Sequence, residues 1–550
     1  MKKKVKYLLF TVLLLAVGLV SFRPNNTYFE IQKNLDIFAT LYKELNTYYV
    51  DEITPGTAIK TGIDAMLSSL DPYTNYIPEE AIEEYRTQTT GQYGGIGAVV
   101  GNRDGKSIII MPFEESPATT AGLKAGDVIL AVNGVNIEGK SHDQVSTLLK
   151  GEIGKMITLK INRYGVDKPF DVDVERQKIK VENVPYFGMI NSSVGFVKLT
   201  DFTEGAGREV RAAVETLRDR GAESVILDLR GNPGGLLNEA VNVASVFIPK
   251  FSEVVTTKGR IEEWNQTYKT LDMPVDIEMP VAVLTDNMSA SASEIVAGVI
   301  QDYDRGVLVG ARTFGKGLVQ TTRRLSYNGQ LKITTAKYYI PSGRCIQAID
   351  YSHRNSDGTP GTIPDSLRQA FKTENGRIVY DGKGIKPDLL VEEESYAPIT
   401  RSLLEKSLLF DYATEYSYKN PEVKNPVSFK LSDSEYQDFS NWLKTKEYDY
   451  VTGVEKSIDE LKFYAQKERY YEAISSELKD LEKLVIHNKE ADLQTFKPQI
   501  KELLEKEIVS RSTFQRGAIE AEFDNDPQVI AAVKILGNTK AYSEILQGNK

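Results

Sequence analysis

Apolar side chains recur every three or four residues near the amino terminus of the chain. The recurring positions are Leu35, Phe38, Leu41 and Leu45. This period predicts amphipathic helices from Tyr28 to about Arg86, with a break at the turn residues of "LDPYT" (70–74). We expect a helical segment over residues 25–88, whose apolar stripe forms either the core of a small helical layer or a contact between two copies of the chain.

Short alternating strands separated by glycines follow between Gln92 and Lys178. The segments that carry this pattern are 93–100, 106–113, 116–137 and 156–163. A capped helix, "SHDQVSTLLKG" (141–151), is predicted beside them. A strand that follows a glycine loop and packs beside a helix forms a groove, whose amides bind a carboxylate and whose edge pairs with an extended peptide. Residues 89–178 are therefore predicted to be a peptide-binding domain.

From Val184 to Glu394 apolar strands alternate with helices, which is the pattern of an α/β core. The predicted strands are 194–199, 224–229, 280–285 and 306–310, and the predicted helices begin near Gly205 and Leu236. Residues 348–383 are polar and rich in turn residues. They are predicted to form an exposed insertion within a core that spans residues 179–395.

The rest of the chain, residues 396–550, has a helical pattern throughout. Ser432 and Glu435 have the spacing of a capping box, and an apolar stripe continues through Ile474 and Leu478. Such a stripe is more often core or helix-pairing surface than a ligand site. We therefore predict an all-helical extension without chemistry of its own.

The first residues of the chain have the pattern of an export signal. Lysines at positions 2, 3, 4 and 6 precede an uncharged apolar run of 16 residues from Tyr7 to Phe22. That run is short for a bilayer span, which needs about 20 residues. We expect residues 1–24 to be a cleaved signal peptide or an uncleaved anchor that holds the protein to the inner membrane through residues 7–22. Either way, the rest of the protein is expected in the cell envelope, on the periplasmic side.

Charge and cysteine content exclude several kinds of protein. The 550 residues carry a net charge of −10, which argues against a nucleic-acid binder, since such a protein needs a basic surface. The single cysteine, Cys345, excludes an intrachain disulfide and a metal site made of several cysteines. No histidine is near it in "PSGRCIQ", so we interpret it as a buried or neutral thiol rather than a nucleophile.

The stretch "SASASEIVAGVI" (289–300) places three serines at alternate positions before an apolar helix. Serine is a favoured N-cap residue, and Glu294 follows Ser291 at the spacing of a capping box. A serine at a strand-to-helix turn also serves as a nucleophile in hydrolases, with helix amides close by. This stretch alone leaves both interpretations open.

A serine nucleophile needs a base, and histidine is a poor candidate in this chain. Its three histidines lie in the predicted peptide-binding domain, the polar insertion and the helical extension. A lysine serves instead if its pKa is lowered from about 10.4 to about 7.5, which costs about 4 kcal/mol and is within the reach of burial. Lys316 in "TFGKGLVQ" lies between two glycines and beside apolar residues. The turn "DLRGNPGG" (228–235) could supply amides to an oxyanion, although a plain strand-to-helix turn has the same pattern.

Three motifs follow one another behind the predicted peptide-binding domain: "DLRGNPGGLL", "SASASEIVAG" and "TFGKGLVQ". From about residue 30 to 395 the chain thereby resembles the carboxyl-terminal processing peptidases, the tail-specific serine protease family. The resemblance implies a crotonase-related α/β protease core with a PDZ domain ahead of it. It also implies that Ser291, 25 residues before Lys316, is the nucleophile and that Lys316 is its base. In the same family pattern Gln320 orients Lys316, and the amides of Gly234 and Ala292 form the oxyanion hole, without a metal or cofactor.

Residues 89–178 resemble a PDZ domain in particular. In that resemblance the carboxylate-binding loop consists of Gly94, Gly95, Ile96 and Gly97. His142, the first residue of the predicted helix, would border the peptide groove.

The resemblance as a whole implies a serine endopeptidase that captures the carboxyl-terminal tails of exported or unfolded proteins with its PDZ domain and then cleaves them. It also suggests a homodimer. The alternative is an inactive scaffold of the cell envelope that binds carboxyl-terminal peptides, but all three chemical positions are present. A penicillin-binding acyltransferase is disfavoured, because its S-x-x-K spacing would put lysine where Glu294 stands.

Overall fold

The computed structural model describes residues 26–392, 395–420, 425, 428–485 and 489–548. The predicted export segment, including the apolar run at 7–22, lies outside these residues. Within the described ranges, none of the helices combines the length and the apolar character that crossing a bilayer requires.

The described chain forms helices and strands in the following order. The helices are α1 (Asn26–Tyr48), α2 (Pro55–Ser68), α3 (Ile82–Thr90), α4 (Pro117–Thr120), α5 (His142–Leu149), α6 (Ala206–Asp219), α7 (Leu237–Ala244), α8 (Ala292–Asp302), α9 (Pro398–Glu405), α10 (Leu408–Lys419), α11 (Asp433–Leu443), α12 (Gly453–Lys467), α13 (Tyr471–Val485), α14 (Lys489–Thr495), α15 (Lys497–Glu520), α16 (Pro527–Leu536) and α17 (Thr539–Leu546). The strands are β1 (Asn75–Ile77), β2 (Gln92–Gly95), β3 (Ala98–Arg103), β4 (Lys106–Pro112), β5 (Val128–Val132), β6 (Val135–Asn136), β7 (Met156–Asn162), β8 (Phe170–Glu175), β9 (Gln177–Lys180), β10 (Tyr186–Met189), β11 (Val194–Lys198), β12 (Ser224–Asp228), β13 (Glu253–Gly259), β14 (Gln266–Lys269), β15 (Val281–Thr285), β16 (Val307–Gly310), β17 (Leu318–Arg324), β18 (Gln330–Tyr339), β19 (Ile349–Arg354), β20 (Pro360–Thr362), β21 (Ala370–Lys372), β22 (Ile378–Tyr380) and β23 (Leu389–Leu390).

The chain divides into two compact units, and the described residues of the smaller one are 26–79 and Thr322–Thr334. In this unit the predicted turn at 70–74 is closed by the Asp71 carboxylate, which accepts hydrogen bonds from the backbone N–H groups of Tyr73 and Thr74. The apolar stripe of α1 is not buried, since Leu35 is 62% and Leu41 57% exposed. The interpretation of the stripe as the core of a helical layer is therefore wrong for the described chain.

Residues 98–175 of the second unit form an antiparallel sheet in the order β3-β4-β5-β7-β8, with β6 on β5. One face of this sheet packs against α5 around buried side chains that include Ile109, Leu159 and Ile161. Strands β2 and β9, at the two ends of the block, pair with each other in antiparallel fashion. The predicted peptide-binding domain is thus a folded unit, and the strands at which the chain enters and leaves it are paired with each other.

The α/β core is a six-stranded sheet in the order β10-β11-β12-β15-β16-β23, in which only the β10–β11 pairing is antiparallel. Its central strands are buried on both faces, as the continuous apolar runs predicted. Val225 and Leu227 of β12 point to the layer of α6, α7 and α8. Ile226 points to the other face, where Val529 and Ala532 of α16 cover it. The last helices of the predicted extension are therefore the second layer of this core.

The polar insertion and the other carboxyl-terminal helices surround this core. The insertion contains two small antiparallel hairpins, β19–β20 and β21–β22. Helices α9, α10, α11, α14 and α15 enclose a separate apolar cluster. Helix α10 contacts the peptide-binding block, because Arg103 pairs with Asp411 at 2.8 Å and the Tyr418 hydroxyl donates to the Gly165 carbonyl at 3.0 Å.

Candidate active site

Ser291 lies at the turn between strand β15 and helix α8, immediately before the first helical residue. Its backbone has φ 56° and ψ −110°, a conformation that non-glycine residues rarely adopt and that stores strain. Ser291 is partly exposed, whereas Ser289 and Ser293 are fully buried. Of the three serines in the motif, Ser291 is thus the one that solvent can reach.

The two buried serines fasten the motif to the "DLRGNPGG" turn. The Ser289 hydroxyl donates to the Leu229 carbonyl, and the Ser293 hydroxyl donates to the Asn232 carbonyl, each at 2.9 Å. The Asn232 carbonyl also accepts the Ala290 N–H at 3.0 Å. These bonds fix the glycine turn against the start of α8, so the hydroxyls of both serines already have structural partners.

The Glu294 carboxylate joins the serine turn to the lysine turn. Its Oε2 accepts the backbone N–H groups of Ser291, at 2.9 Å, and Lys316, at 2.8 Å. Its Oε1 accepts the Thr313 hydroxyl at 2.6 Å and the Gly315 N–H at 2.7 Å. A single carboxylate therefore holds the backbones of the predicted nucleophile and the predicted base in a fixed relation.

Burial and hydrogen bonding have opposite effects on Glu294. Its side chain is fully buried, and burial raises its pKa to about 7, although the four hydrogen bonds that it accepts lower the pKa. All four partners are donors to the ionised form. A protonated Glu294 would point its own O–H at one of these donors, and that hydrogen bond would be lost. This geometry therefore requires the ionised carboxylate.

A second connection between the two turns comes from Tyr338 on strand β18. Its buried hydroxyl lies 2.7 Å from the Lys316 carbonyl and 3.2 Å from the Ser291 carbonyl. Its backbone N–H donates to the Gly317 carbonyl at 3.0 Å. Gln320 is four residues beyond Lys316, on β17, and is partly buried. The predicted trio of Ser291, Lys316 and Gln320 thus lies on elements that meet at one place.

The two residues predicted for the oxyanion hole lie beside each other. A Cβ on Gly234 would come within 2.8 Å of the Ala292 nitrogen and 2.9 Å of the Ser291 Cβ, and φ at Gly234 is 96°. Only glycine fits this position. The Ala292 N–H has no hydrogen-bond partner among the described residues, whereas the Gly234 N–H donates to Asn232 Oδ1 at 2.9 Å. In this conformation, therefore, the Ala292 N–H is the amide that can donate to an oxyanion. The role of Gly234 is to let the glycine turn pack closely against Ser291 and Ala292.

The glycine turn is also held by an ion-pair network. Arg230 pairs with Asp228 at 2.8 Å and with Asp526, the N-cap of α16, at 2.6 Å. Burial would raise the pKa of Asp228, but Lys198 and Arg230 outweigh it and hold the pKa below its usual range. The carboxyl-terminal extension therefore positions a turn of the site, a role that its sequence pattern did not indicate.

A groove runs between β3 and α5 of the peptide-binding block. It encloses a cavity of about 230 Å³ and is lined by His142 and Val145 on the helix and by Ile96 and Val100 on the other side. The predicted carboxylate-binding loop, residues 94–97, is not a single loop in the structure. Its first two glycines lie in β2, where they pair with Lys178 and Gln177, while Gly97 follows Ile96 with φ 73°.

Comparison with known proteins agrees with this geometry. Peptidase family S41 matches residues 193–355, the PDZ domain matches residues 114–163, and the family described as probable PDZ-protease, C-terminal helical domain, matches residues 399–536. A carboxy-terminal-processing protease of Bartonella bacilliformis is 36% identical over 343 residues, which are 62% of this chain and 77% of that relative. The chain belongs to the carboxy-terminal-processing proteases of peptidase family S41.

The chain is also similar to other processing proteases. A probable CtpA-like serine protease of Staphylococcus aureus is 34% identical over 357 residues, or 64% of this chain and 71% of the relative. Among solved structures, the photosystem II D1 C-terminal processing protease is 25% identical, with a TM-score of 0.35, and the match covers 64% of this chain and 92% of that one. By the three family models, this carboxy-terminal-processing protease has the S41 fold with a PDZ domain and a helical carboxyl-terminal domain, as predicted.

Three residues with evident roles in this site were not identified as functional from the sequence. Glu294 was interpreted only as part of a capping box, and its bond to the Ser291 N–H does have that pattern. Its bonds to residues 313–316 depend on the tertiary fold. Tyr338 and Asp526 act in the same way, through contacts with distant segments. The only local signal was the capping-box spacing, so sequence reasoning had no means of finding the other contacts.

Proposed function

We propose that this protease cleaves peptide bonds with Ser291 as nucleophile and Lys316 as general base. The observation that carries the proposal is the Glu294 carboxylate, which accepts the backbone N–H groups of both residues with one oxygen. A base must lie within hydrogen-bond distance of its nucleophile. One carboxylate that binds both turns can hold the two residues at such a distance. The partly exposed position of Ser291 supports the same assignment, as does the neighbouring Ala292 amide, which no described residue accepts.

The reaction follows the acyl-transfer scheme of serine peptidases. Neutral Lys316 takes the hydroxyl proton of Ser291 as its oxygen attacks the scissile carbonyl carbon. The Ala292 N–H, with an amide of the "DLRGNPGG" turn, stabilises the oxyanion that forms. The C–N bond then breaks, and Lys316 returns the proton to the leaving amine. A water molecule hydrolyses the acyl-enzyme with Lys316 again as base, while Gln320 orients the amine of Lys316.

We also propose that the groove between β3 and α5 captures the carboxyl-terminal tail of the substrate. The apolar lining by Ile96, Val100 and Val145 suits an apolar last residue. The edge of β3 can pair with an extended peptide, and amides near Gly97 suit its carboxylate. The substrates would then be exported or unfolded proteins whose tails are free to enter.

The tail requirement is tested with two unfolded polypeptides that are identical except at the carboxyl end. One ends in an apolar residue with a free carboxylate, and the other ends in the carboxamide. We expect kcat/KM for the amidated substrate to be at least about tenfold lower, because the loss of a charge-assisted hydrogen bond costs about 1.5–3 kcal/mol. Cleavage is followed by gel electrophoresis and mass spectrometry.

The control is a short peptide without a tail that reaches the groove, with and without amidation, which should be cut at one rate. Equal rates for the two long substrates would contradict tail capture but not the peptidase assignment. Absence of any cleavage would contradict the peptidase assignment itself and favour a peptide-binding scaffold.

The exposed stripe of α1 supports a homodimer. A substitution in it, Leu41→Glu, is expected to shift the protein from dimer to monomer, because a buried charge would replace apolar contact. Sedimentation velocity at several concentrations measures this, with Lys43→Glu, a charge change at an exposed position of the same helix, as control. A monomeric parent, or a dimer unaffected by Leu41→Glu, would contradict the assignment. We further infer that residues 1–24 direct the protein to the periplasmic side of the cell envelope.

A further inference from the structure

A cavity of about 850 Å³ lies behind α8, between the hairpin β21–β22, the segment before β23 and the end of α17. Five cationic side chains line it: Arg312, Arg344, Arg368, Arg377 and Lys386. Among the described lining residues the one carboxylate is Asp388. The wall is thus strongly positive in a protein whose net charge is −10.

Two of the five cations are neutralised by their own partners. Arg377 pairs with Asp304 at 2.5 Å and with Asp388 at 2.6 Å. Arg344 pairs with Asp302 at 2.8 Å. Asp388, the carboxylate of the wall, is therefore paired with Arg377. It forms no ion pair with Arg312, Arg368 or Lys386 among the described contacts.

Arg312 and Arg368 lack full compensation. Arg312 forms no ion pair with any residue that the structure describes, and its guanidinium donates only a 3.3 Å hydrogen bond to the Lys383 carbonyl. Burial, and then the nearby Arg368, lower the pKa of Arg312, although Asp365 acts against this shift. Arg368 has one ion pair, at 3.5 Å, to Asp365, which is exposed and also pairs with Lys383 at 2.7 Å. The two guanidinium groups of Arg312 and Arg368 thus repel each other, and the nearby Asp365 is shared with Lys383.

A third observation points in the same direction. Arg344 is 1% exposed, and within the described chain its Nε has no hydrogen-bond partner. Lys386 is exposed on the same wall and forms no ion pair with a described residue. Unused donors on a buried guanidinium are costly, and they are usually satisfied by a ligand or by water.

We propose that this cavity binds a phosphate group between Arg312, Arg368 and Lys386. A phosphate carries more charge and more acceptor oxygens than a carboxylate. It suits a wall on which Arg312 and Lys386 form no ion pair with a described residue and Arg368 shares Asp365 with Lys383. Guanidinium groups bind phosphate in bidentate geometry, and the lysine adds a point charge. The apolar part of the wall, with Ile378 and Leu390, leaves room for the rest of a phosphorylated molecule.

The site has a direct connection to the catalytic turn. Arg312 immediately precedes Thr313, whose hydroxyl donates to Glu294 at 2.6 Å. A ligand that draws Arg312 and Arg368 together would fix the segment that holds Lys316.

Titration calorimetry of the whole chain with inorganic pyrophosphate tests the proposal. We expect saturable binding that Arg312→Gln and Lys386→Gln each weaken at least about tenfold, because each removes a charge-assisted contact. Arg260→Gln, a charge change at an exposed residue outside the cavity, is expected to leave the affinity unchanged. Absence of saturable binding, or one affinity for all four proteins, would overturn the proposal.

A second experiment separates a lipid headgroup from a soluble phosphate compound. Vesicles of phosphatidylglycerol are compared with phosphatidylcholine in flotation assays with the whole chain and with Arg312→Gln. The site is assigned to a lipid headgroup if the whole chain binds phosphatidylglycerol vesicles more strongly than phosphatidylcholine vesicles. Pyrophosphate must abolish this excess, and Arg312→Gln must not show it. Pyrophosphate binding without this excess assigns it to a soluble compound.

Discussion

Replacing Ser291 with alanine is expected to lower kcat/KM for tail-bearing substrates by about 10⁴-fold or more. The reason is that the other two serines of the motif cannot replace it, because Ser289 and Ser293 are buried and their hydroxyls are bonded to the glycine turn. The rate is measured with a fluorogenic peptide, and folding is checked by circular dichroism and thermal unfolding.

The two neighbouring serines provide the matched control. Ser293→Ala removes one buried hydrogen bond, to the Asn232 carbonyl, and should cost about 1 kcal/mol of stability. It should retain cleavage within about tenfold of the parent. Activity that survives Ser291→Ala, or that is lost equally in Ser293→Ala, would show that the nucleophile is another residue.

The base is tested separately with Lys316→Arg. Arginine keeps the positive charge and much of the length but is not deprotonated in proteins, so it cannot accept the proton of Ser291. General-base catalysis contributes about 10²- to 10⁴-fold, and a loss of at least that size is expected. Activity retained in Lys316→Arg but lost in Lys316→Ala would assign Lys316 an electrostatic rather than a base role.

Regular elements with strong local patterns were predictable from the sequence. The run 224–229 is strand β12, and the helix expected near Gly205 begins at Ala206. Ser432 and Glu435 form the predicted capping box, with both hydrogen bonds present. In each case the signal lies within a few residues and reflects local sterics or burial on both faces of a sheet.

Contacts between distant segments were not predictable in the same way. The pattern of α16 indicates a helix but not that its apolar face covers β12, or that its N-cap Asp526 pairs with Arg230, 296 residues earlier. The expected carboxylate loop shows a smaller discrepancy. Gly94 and Gly95 were assigned to it from the resemblance to a PDZ domain, but the pairing of β2 with β9 takes them into a strand. Such pairing depends on both partners, and no single segment encodes it.

Only part of the candidate site could be predicted from the sequence. The motif order led to Ser291 and Lys316, and the structure places their turns side by side. What holds them together, Glu294 and Tyr338, depends on bonds across 22 and 47 residues. The short motifs contain the residues that we propose to react, whereas Glu294 and Tyr338 contact them through the tertiary fold.

Glu294→Gln is expected to lower kcat/KM by about 10²-fold or more without removing any group that reacts. The amide replaces one acceptor oxygen with a donor, so two of the four donors that now meet Glu294 would face an N–H group. Each unsatisfied buried donor costs about 1–3 kcal/mol, and the turns that carry Ser291 and Lys316 would relax apart. A displacement of about 1 Å between reacting groups is enough for a loss of this size.

The pKa of Glu294, about 7, makes this position visible in the pH dependence. As pH falls through 7, protonation should remove acceptor capacity and lower activity, and this part of the acid limb should be absent in Glu294→Gln. Stability should change in the opposite direction. The folded state binds the proton more tightly than the unfolded state between pH 4.5 and 7, so the free energy of unfolding falls as pH rises through that window. The difference amounts to about 3 kcal/mol.

Urea unfolding at pH 5 and pH 7.5, together with pH–rate profiles, measures both effects. Glu239→Gln is the control, because Glu239 is also buried and accepts one backbone N–H, that of Gly207, at 2.9 Å. It should lose stability but keep the parent profiles. A Glu294→Gln protein with the parent's acid limb and the parent's slope of stability against pH would refute the role assigned to this carboxylate. The expected result is an enzyme that is more stable below pH 7 and more active above it, because one buried carboxylate is costly to ionise and yet must be ionised to hold both turns.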